Sequence, residues 1–273
     1  MDEQITIIYY FCHEILKGLG HKDHPQCQMN GAEVMTTGLV AARFFKGHHD
    51  LACQFLKEQN YIPDMLTKSR FNRRLHQIPE FYWQSVTVFL GEVFKEGNET
   101  QEYVIDSFPI SVCKNIRISR CRIYQDEEYR GYCAAKKEYF YGLRVHAVVT
   151  GKGELVQWVL AEGSRHDMAV FKNLDLDLPE ASTLYGDKAY NDYQYEDLLR
   201  DAIKVDLKPL RKKNSKRPFP LCVRYVQSKV RKIVETVGSQ LNQLLPKTIH
   251  AVTARGFELK VGLFALTCAF QLL

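Results

Sequence analysis

No apolar run in the chain reaches the ~20 residues that a membrane-spanning helix needs. The nearest, VGLFALTCAFQLL at the C-terminus, is shorter, is interrupted by Thr267 and Gln271, and reads as a buried helix. The opening MDEQITIIYYFCHEILKG begins with acids and lacks a basic n-region and a small-residue cleavage site, so no secretory signal is expected there. None of the eight cysteines forms a C-x-x-C pair, and their scatter suits reduced thiols in a cytoplasmic protein better than a disulfide scaffold. HKDHPQC gathers His21, His24 and Cys27, but without a second half-site at finger spacing it reads as a polar loop rather than a zinc site. Internal repeats and low-complexity tracts are also missing. What remains is ordinary globular usage, 45% hydrophobic and 25% charged over 273 residues, enough for one large domain or two modest ones. A net charge of +5 permits a polyanionic partner without requiring one, so the placement of the basic residues matters more than their number.

Two organisations follow one another. Residues 1–97 are rich in helical periodicity, with apolar stripes over Glu33–Phe45 and His49–Leu56. A further helix is expected to open at Thr67 or Ser69 and to close before Pro79. On it Phe71, Leu75 and Ile78 face inward, leaving Lys68, Arg70, Arg73 and Arg74 largely on the other side. A short helix, a turn and a basic helix resemble a helix-turn-helix, whose second helix enters the major groove; the alternative is a solvated cationic face. KEGNETQ, residues 95–101, is the expected linker.

Residues 98–273 change to strands. EYVIDSF is one; YFYGLRVHAVVT and ELVQWVLAEG, separated by GKG, form a hairpin; STLYGD and IKVDL follow, with the helix DYQYEDLLRDA between them. A long helix then runs from about Arg224 to Leu245. The order predicts a mixed α/β sheet flanked by helices.

Asp106 lies on the first of these strands and Asp187 at the end of the fourth, so pairing the two strands brings their carboxylates together. Two acids so placed repel each other unless a cation sits between them, and carboxylate oxygens suit Mg²⁺ or Mn²⁺. A third acid is available in KVRKIVETVGSQL, where Glu235 follows Arg231 by one helical turn. Each acid also has a plain structural role open to it. Asp106 can cap a turn before Pro109, Asp187 can start an Asx-turn, and Glu235 can pair with Arg231. The stretch KPLRKKNSKRPFP adds Lys208, Arg211, Lys212, Lys213, Lys216 and Arg217 with no acid among them, a run that beside an acid cluster attracts a phosphate backbone.

VIDSFPISVC, FYGLRVHAVVTGKGELVQWVLAEGSRHD, LYGDKAY and RKIVET together resemble the catalytic domain of bacterial insertion-sequence transposases of the DDE type, and are most similar to the nine-eighty-two family of insertion sequences. The resemblance implies an RNase H-like catalytic domain over 98–273, preceded by a helical DNA-binding domain over 1–97. It implies Asp106, Asp187 and Glu235 as catalytic residues and as ligands of two Mg²⁺ ions, for which Mn²⁺ substitutes. Lys188 and Arg231 would hold phosphate oxygens. The activity implied is cleavage at transposon ends followed by strand transfer of the freed 3′-hydroxyl. Its partners would be double-stranded DNA, as terminal inverted repeats and target, and further copies of the chain on that DNA, with no membrane involved. A domesticated DNA-binding protein and a stand-alone nuclease are the alternatives. GSRHD also fits the family pattern: His166 can approach the site, while Asp167 reads as the N-cap of a helix beginning near Met168.

Overall fold

The computed structural model describes residues 1–113, 115–133, 137–246, 249–271 and 273, with Val230, Arg231 and Val234 described by their backbone alone. The chain divides into two compact units, residues 1–89 with 240–273, and residues 90–239.

The first unit is helical. It holds α1 (Asp2–Gly18), α2 (Gly31–Phe45), α3 (His49–Glu58), α4 (Lys68–Gln77), the larger part of α5 (Glu80–Glu96) and α9 (Ala254–Phe270). Helix α2 is its centre. Asn30 and Glu33 close a capping box, and almost every residue from Gly31 to Ala42 is buried. Gly38 allows this crowding, because a Cβ there would stand 3.0 Å from Leu75 of α4 and 3.5 Å from Leu263 of α9. The apolar tail is therefore a buried helix, as expected, but it packs in the helical unit. The residues from Gln240 onward leave the domain expected at 98–273 because α9 is apolar on nearly every side and finds its burial against α2. On α4, Phe71 and Leu75 are buried, as is Ile78 just beyond it, while Lys68, Arg70 and Arg73 are exposed. Thr67 is the N-cap residue but makes no side-chain capping bond.

The second unit is built on one mixed sheet. Its strands are β1 (Glu102–Cys113), β2 (Arg130–Cys133), β3 (Glu138–Thr150), β4 (Leu155–Glu162), β5 (Thr183–Gly186) and β6 (Asp206–Pro209). Helices α6 (Asp167–Lys172), α7 (Tyr193–Ile203) and most of α8 (Leu221–Leu244) complete it. The strand order is β2-β3-β1-β5-β6, with β4 also on β3; β1, β3 and β4 are antiparallel neighbours, while β5 and β6 run parallel to β1. The expected hairpin is β3–β4, turning through Gly153 at φ +92° with Thr150 Oγ1 accepting from the amides of Lys152 and Glu154. The segment 95–101 is a bonded turn rather than an open linker: Asn98 is buried, its Nδ2 donates to the Glu102 carbonyl, and its Oδ1 accepts from Thr100.

Strand β1 runs past Pro109 to Cys113, well beyond the expected EYVIDSF. Its pairing with β5 stops at Ile105–Gly186, so from Asp106 onward only the β3 side of β1 carries ladder bonds among the described residues. Proline is tolerated at such an edge because no partner needs its missing N–H.

Candidate active site

The parallel register between β1 and β5 decides where the acids stand. Ile105 pairs with Gly186, so the next residues, Asp106 and Asp187, leave neighbouring strands at the same level, ~4.8 Å apart by the usual strand spacing. Each carboxylate is fixed by a nearby amide. Asp106 Oδ1 accepts from Ser107 N at 2.8 Å, and Asp187 Oδ1 accepts from Ala189 N at 2.7 Å, capping the 3-10 turn Lys188–Tyr190. Both acids line one narrow cavity with Gly186, Leu210 and Gln227.

Helix α8 covers that side of the sheet. Gln227 is 3% exposed and donates to the carbonyls of Lys208 and Pro209 at 3.0 and 3.3 Å, which docks the start of the helix over the end of β6. Further along, Gly238 lies against Phe108, two residues from Asp106 and on the same strand face; a Cβ at Gly238 would fall 2.3 Å from the ring. Glu235 sits one turn before Gly238 and is exposed. Arg231 belongs to the same helix, but its side chain lies outside the described residues. Among the described residues no three acid, histidine or cysteine side chains converge as a metal-binding group.

The opposite strand face backs the site with a polar network that the sequence did not reveal. Ser107 Oγ donates to Asp167 Oδ1 at 3.0 Å and accepts from Arg144 Nη1 at 3.2 Å. His146, paired across the sheet with Ser107, places Nε2 3.9 Å from Asp167 and Nδ1 3.5 Å from the Tyr190 hydroxyl. His146 is 1% exposed, and burial pushes its imidazole down to about 4 against the pull of Asp167, so it is neutral at pH 7 and the 3.9 Å contact is not an ion pair. Burial, with the charges of Asp167, Asp106 and Asp187, raises the Tyr190 phenol well above its ordinary value and keeps it protonated. Asp167 is therefore not the N-cap of α6: the helix starts at Asp167 itself, its N-cap is the exposed His166, and the Asp167 side chain reaches across to β1 instead. The available clue was a histidine inside the apolar run VHAVV, where a polar side chain needs partners.

The basic residues separate into two groups. Lys188, Lys212, Lys213 and Lys216 are exposed. Arg211, expected on DNA, is turned inward: its two Nη atoms each lie 2.6 Å from an oxygen of Glu196, and it stacks over Phe219 at 4.4 Å. Arg217 forms a half-exposed fork with Asp197 at 2.8 and 2.9 Å, and Lys208 donates to Thr183 at 3.2 Å. In the helical unit Lys68 meets Asp50 at 3.0 Å, and Arg74 meets Asp23 and the Met29 carbonyl, both at 3.3 Å. His21 bonds Tyr82 at 2.9 Å and faces Asp23 at 3.3 Å, which gives it a structural role away from His24 and Cys27.

A family model described as Transposase DDE domain matches residues 96–251, more than half of the chain. No curated protein matches it. Among solved structures, the piggyBac transposase synaptic complex with hairpin DNA aligns over 99% of this chain and 72% of that one, at 11% identity and a TM-score of 0.49. The chain belongs to the transposase DDE domain family.

Proposed function

We propose that the protein is a DNA transposase of the insertion-sequence type, within the nine-eighty-two family, which cuts phosphodiester bonds at the ends of its element and joins the freed 3′-hydroxyls to target DNA. The observation that carries this reading is the β1–β5 register, which sets Asp106 beside Asp187, while α8, the helix that carries Glu235, packs through Gly238 on Phe108 of the same strand face. The order β4-β3-β1-β5-β6, three antiparallel strands then two parallel ones, supports an RNase H-like core. The succession of α3 and a basic α4 supports a helix-turn-helix-like DNA reader.

The residues present fit a divalent cation. Two carboxylates converge on a cavity also lined by Gln227 and Tyr185, and such oxygen donors suit Mg²⁺ or Mn²⁺. Asp106, Asp187 and Glu235 would be the residues that hold the metal. When bound, the metal supplies charge neutralisation at the scissile phosphate and an activated oxygen nucleophile. The rest falls to the chain. Ser107 N and Ala189 N fix the carboxylates, and exposed Lys188 beside Asp187 meets a phosphate oxygen. Hydrolysis leaves a 5′-phosphate and a 3′-hydroxyl; in the joining step that hydroxyl attacks a target phosphorus, one P–O bond forming as another breaks. The exposed lysines of the 208–217 stretch track the backbone without reading bases.

The test is single-turnover cleavage and joining of DNA bearing the element's own ends, with Mg²⁺. Asp106→Asn, Asp187→Asn and Glu235→Gln should each abolish cleavage while leaving DNA affinity in place, and a double variant should be hardly worse than a single one. Normal cutting by Glu235→Gln would remove α8 from the chemistry, and cutting without joining would leave a nuclease.

A further inference from the structure

The sheet face that bears Asp106 extends far beyond it. Ala147 of β3 pairs with Asp106 and Val145 with Phe108, so alternation puts Tyr141 and Tyr139 on the same face. The opposite face is marked independently by Arg144, which bonds Ser107 and lies 5.7 Å over the ring of Phe140. At the far end β2 sets Tyr132 across from Tyr139. Their ring centroids are 5.0 Å apart, yet they remain 46% and 51% exposed. Arg130 covers Tyr139 at 4.6 Å.

The segment joining β1 to β2 passes, in contact with β3, through a 3-10 stretch, Asn115–Arg120, clasped by Gln125, whose amide donates to the carbonyls of Ile118 and Cys121. It carries Arg117, Arg120 and then Arg122, all exposed; among the described residues none of the three is paired with a carboxylate.

Exposed aromatic rings and exposed arginines on segments that share β3 offer two things to a nucleotide: a π-face on which any base stacks, and cations for the phosphates on either side. We propose that Tyr132 and Tyr139 form a stacking platform for unpaired nucleotides of DNA, with Arg117, Arg120 and Arg122 holding the adjoining phosphates. Eight residues along β3, from Ala147 to Tyr139, span ~27 Å, which sets how far the platform stands from a phosphate held at Asp106 and Asp187. That distance rests on the proposed cleavage centre; the binding itself does not.

Fluorescence anisotropy on the full chain tests it, with a labelled 20-nucleotide single strand and a duplex of the same sequence at several salt concentrations. Replacing both residues, Tyr132→Leu with Tyr139→Leu, should weaken single-strand binding ~5- to 100-fold and change duplex binding less than twofold. Arg117→Ala, Arg120→Ala and Arg122→Ala together should reduce the single-strand salt slope by about 2. Tyr132→Trp, which keeps an aromatic on the edge strand, should show indole quenching when single strand is added, and gives a reading even if the double leucine variant fails to fold. Unchanged single-strand affinity in a variant that melts like the wild type, or an unquenched indole, overturns the proposal. So does a changed oligomeric mass at constant affinity, which would assign the face to a second copy of the chain. Wild-type cleavage of an element-end duplex, measured alongside, reports on the transposase reading separately, since tyrosine-dependent binding does not require it.

Discussion

Glu196 and Arg211 form an enclosed ion pair, with side chains only 3% and 9% exposed and two N–H···O bonds of 2.6 Å. Arg211 also donates to Asn191 Oδ1 at 3.0 Å and lies between Phe219 and Tyr193, at 4.4 and 5.1 Å from their rings. Glu196→Gln preserves the volume and removes the charge, leaving a buried guanidinium with one neutral acceptor in place of a carboxylate. Breaking a buried pair from one side costs about 3–5 kcal/mol. At ~2–4 °C per kcal/mol for a unit of this size, the melting temperature should fall by roughly 6–20 °C. Calorimetry reads the shift directly. Replacing both partners, Glu196→Leu with Arg211→Met, should recover most of it, because no unpaired charge remains. DNA binding supplies the second arm: a guanidinium already committed to Glu196 releases no counterion, so Arg211→Met should leave the salt slope of duplex binding unchanged. A Glu196→Gln protein that melts within 2 °C of the wild type, or an Arg211→Met protein whose slope falls by about 1, would refute the assignment of Arg211 to the fold.

Three further expectations follow from the same geometry. Lys212→Ala with Lys213→Ala should lower affinity for specific and random duplexes alike and reduce the salt slope by about 1.8; a loss confined to element ends would contradict a backbone-tracking role. Gly238→Ala puts a methyl group 2.3 Å from the Phe108 ring, so ring or helix must yield by about 1 Å; cleavage should fall ~100-fold with DNA affinity retained, and an unchanged rate would show that the ring alone gives way. The third concerns pH. His146, faced by Asp167, Arg144 and Tyr190, titrates near 4 in the folded protein and near 6.5 in an unfolded chain. A depressed folded value means that stability is complete above about 6.5 and is lost as pH falls toward 4, by about 3 kcal/mol. Denaturant unfolding at pH 7 and 4.5 measures the loss, and His146→Gln should flatten it.

The elements that could be read from sequence are those whose residues state their own partner. VHAVVT, GKG and ELVQWVL describe a hairpin by alternation and turn chemistry, and β3–β4 is that hairpin. Phe71 and Leu75 describe the inner side of α4 by helical spacing. The acids could be read as a pair because strand ends impose register. What could not be read depends on contacts far apart in sequence. β2 has four residues and no alternation to announce it; it exists because β3 offers an edge. α9 joins the helical unit through Gly38, a fit decided by shape rather than by pattern. Arg211 looked like its basic neighbours in KPLRKKNSKRPFP, and only Glu196, 15 positions earlier on α7, sets it apart.

For Asp187 the structural role and the proposed chemical one need not compete. Its Oδ1 caps the turn Lys188–Tyr190, and that turn swings Tyr190 beneath β5, where a Cβ on Gly186 would meet the ring at 3.1 Å. Glycine leaves the ring its close approach, so GDKAY is one mechanical unit: glycine admits the ring, aspartate caps the turn, and tyrosine anchors it. From Tyr190 the contacts run on to His146, then to Asp167, then to Ser107, whose amide fixes Asp106. The two carboxylates are thus tied twice, by strand register in front and by side chains behind. The second tie acts at a distance. Under the proposed function, loosening Tyr190, His146 or Asp167 should leave both acids present and weaken cleavage, because two carboxylates that share a small hard cation depend on their separation. Unchanged cleavage in Tyr190→Phe and His146→Gln proteins that fold would show that strand register alone sets the two acids.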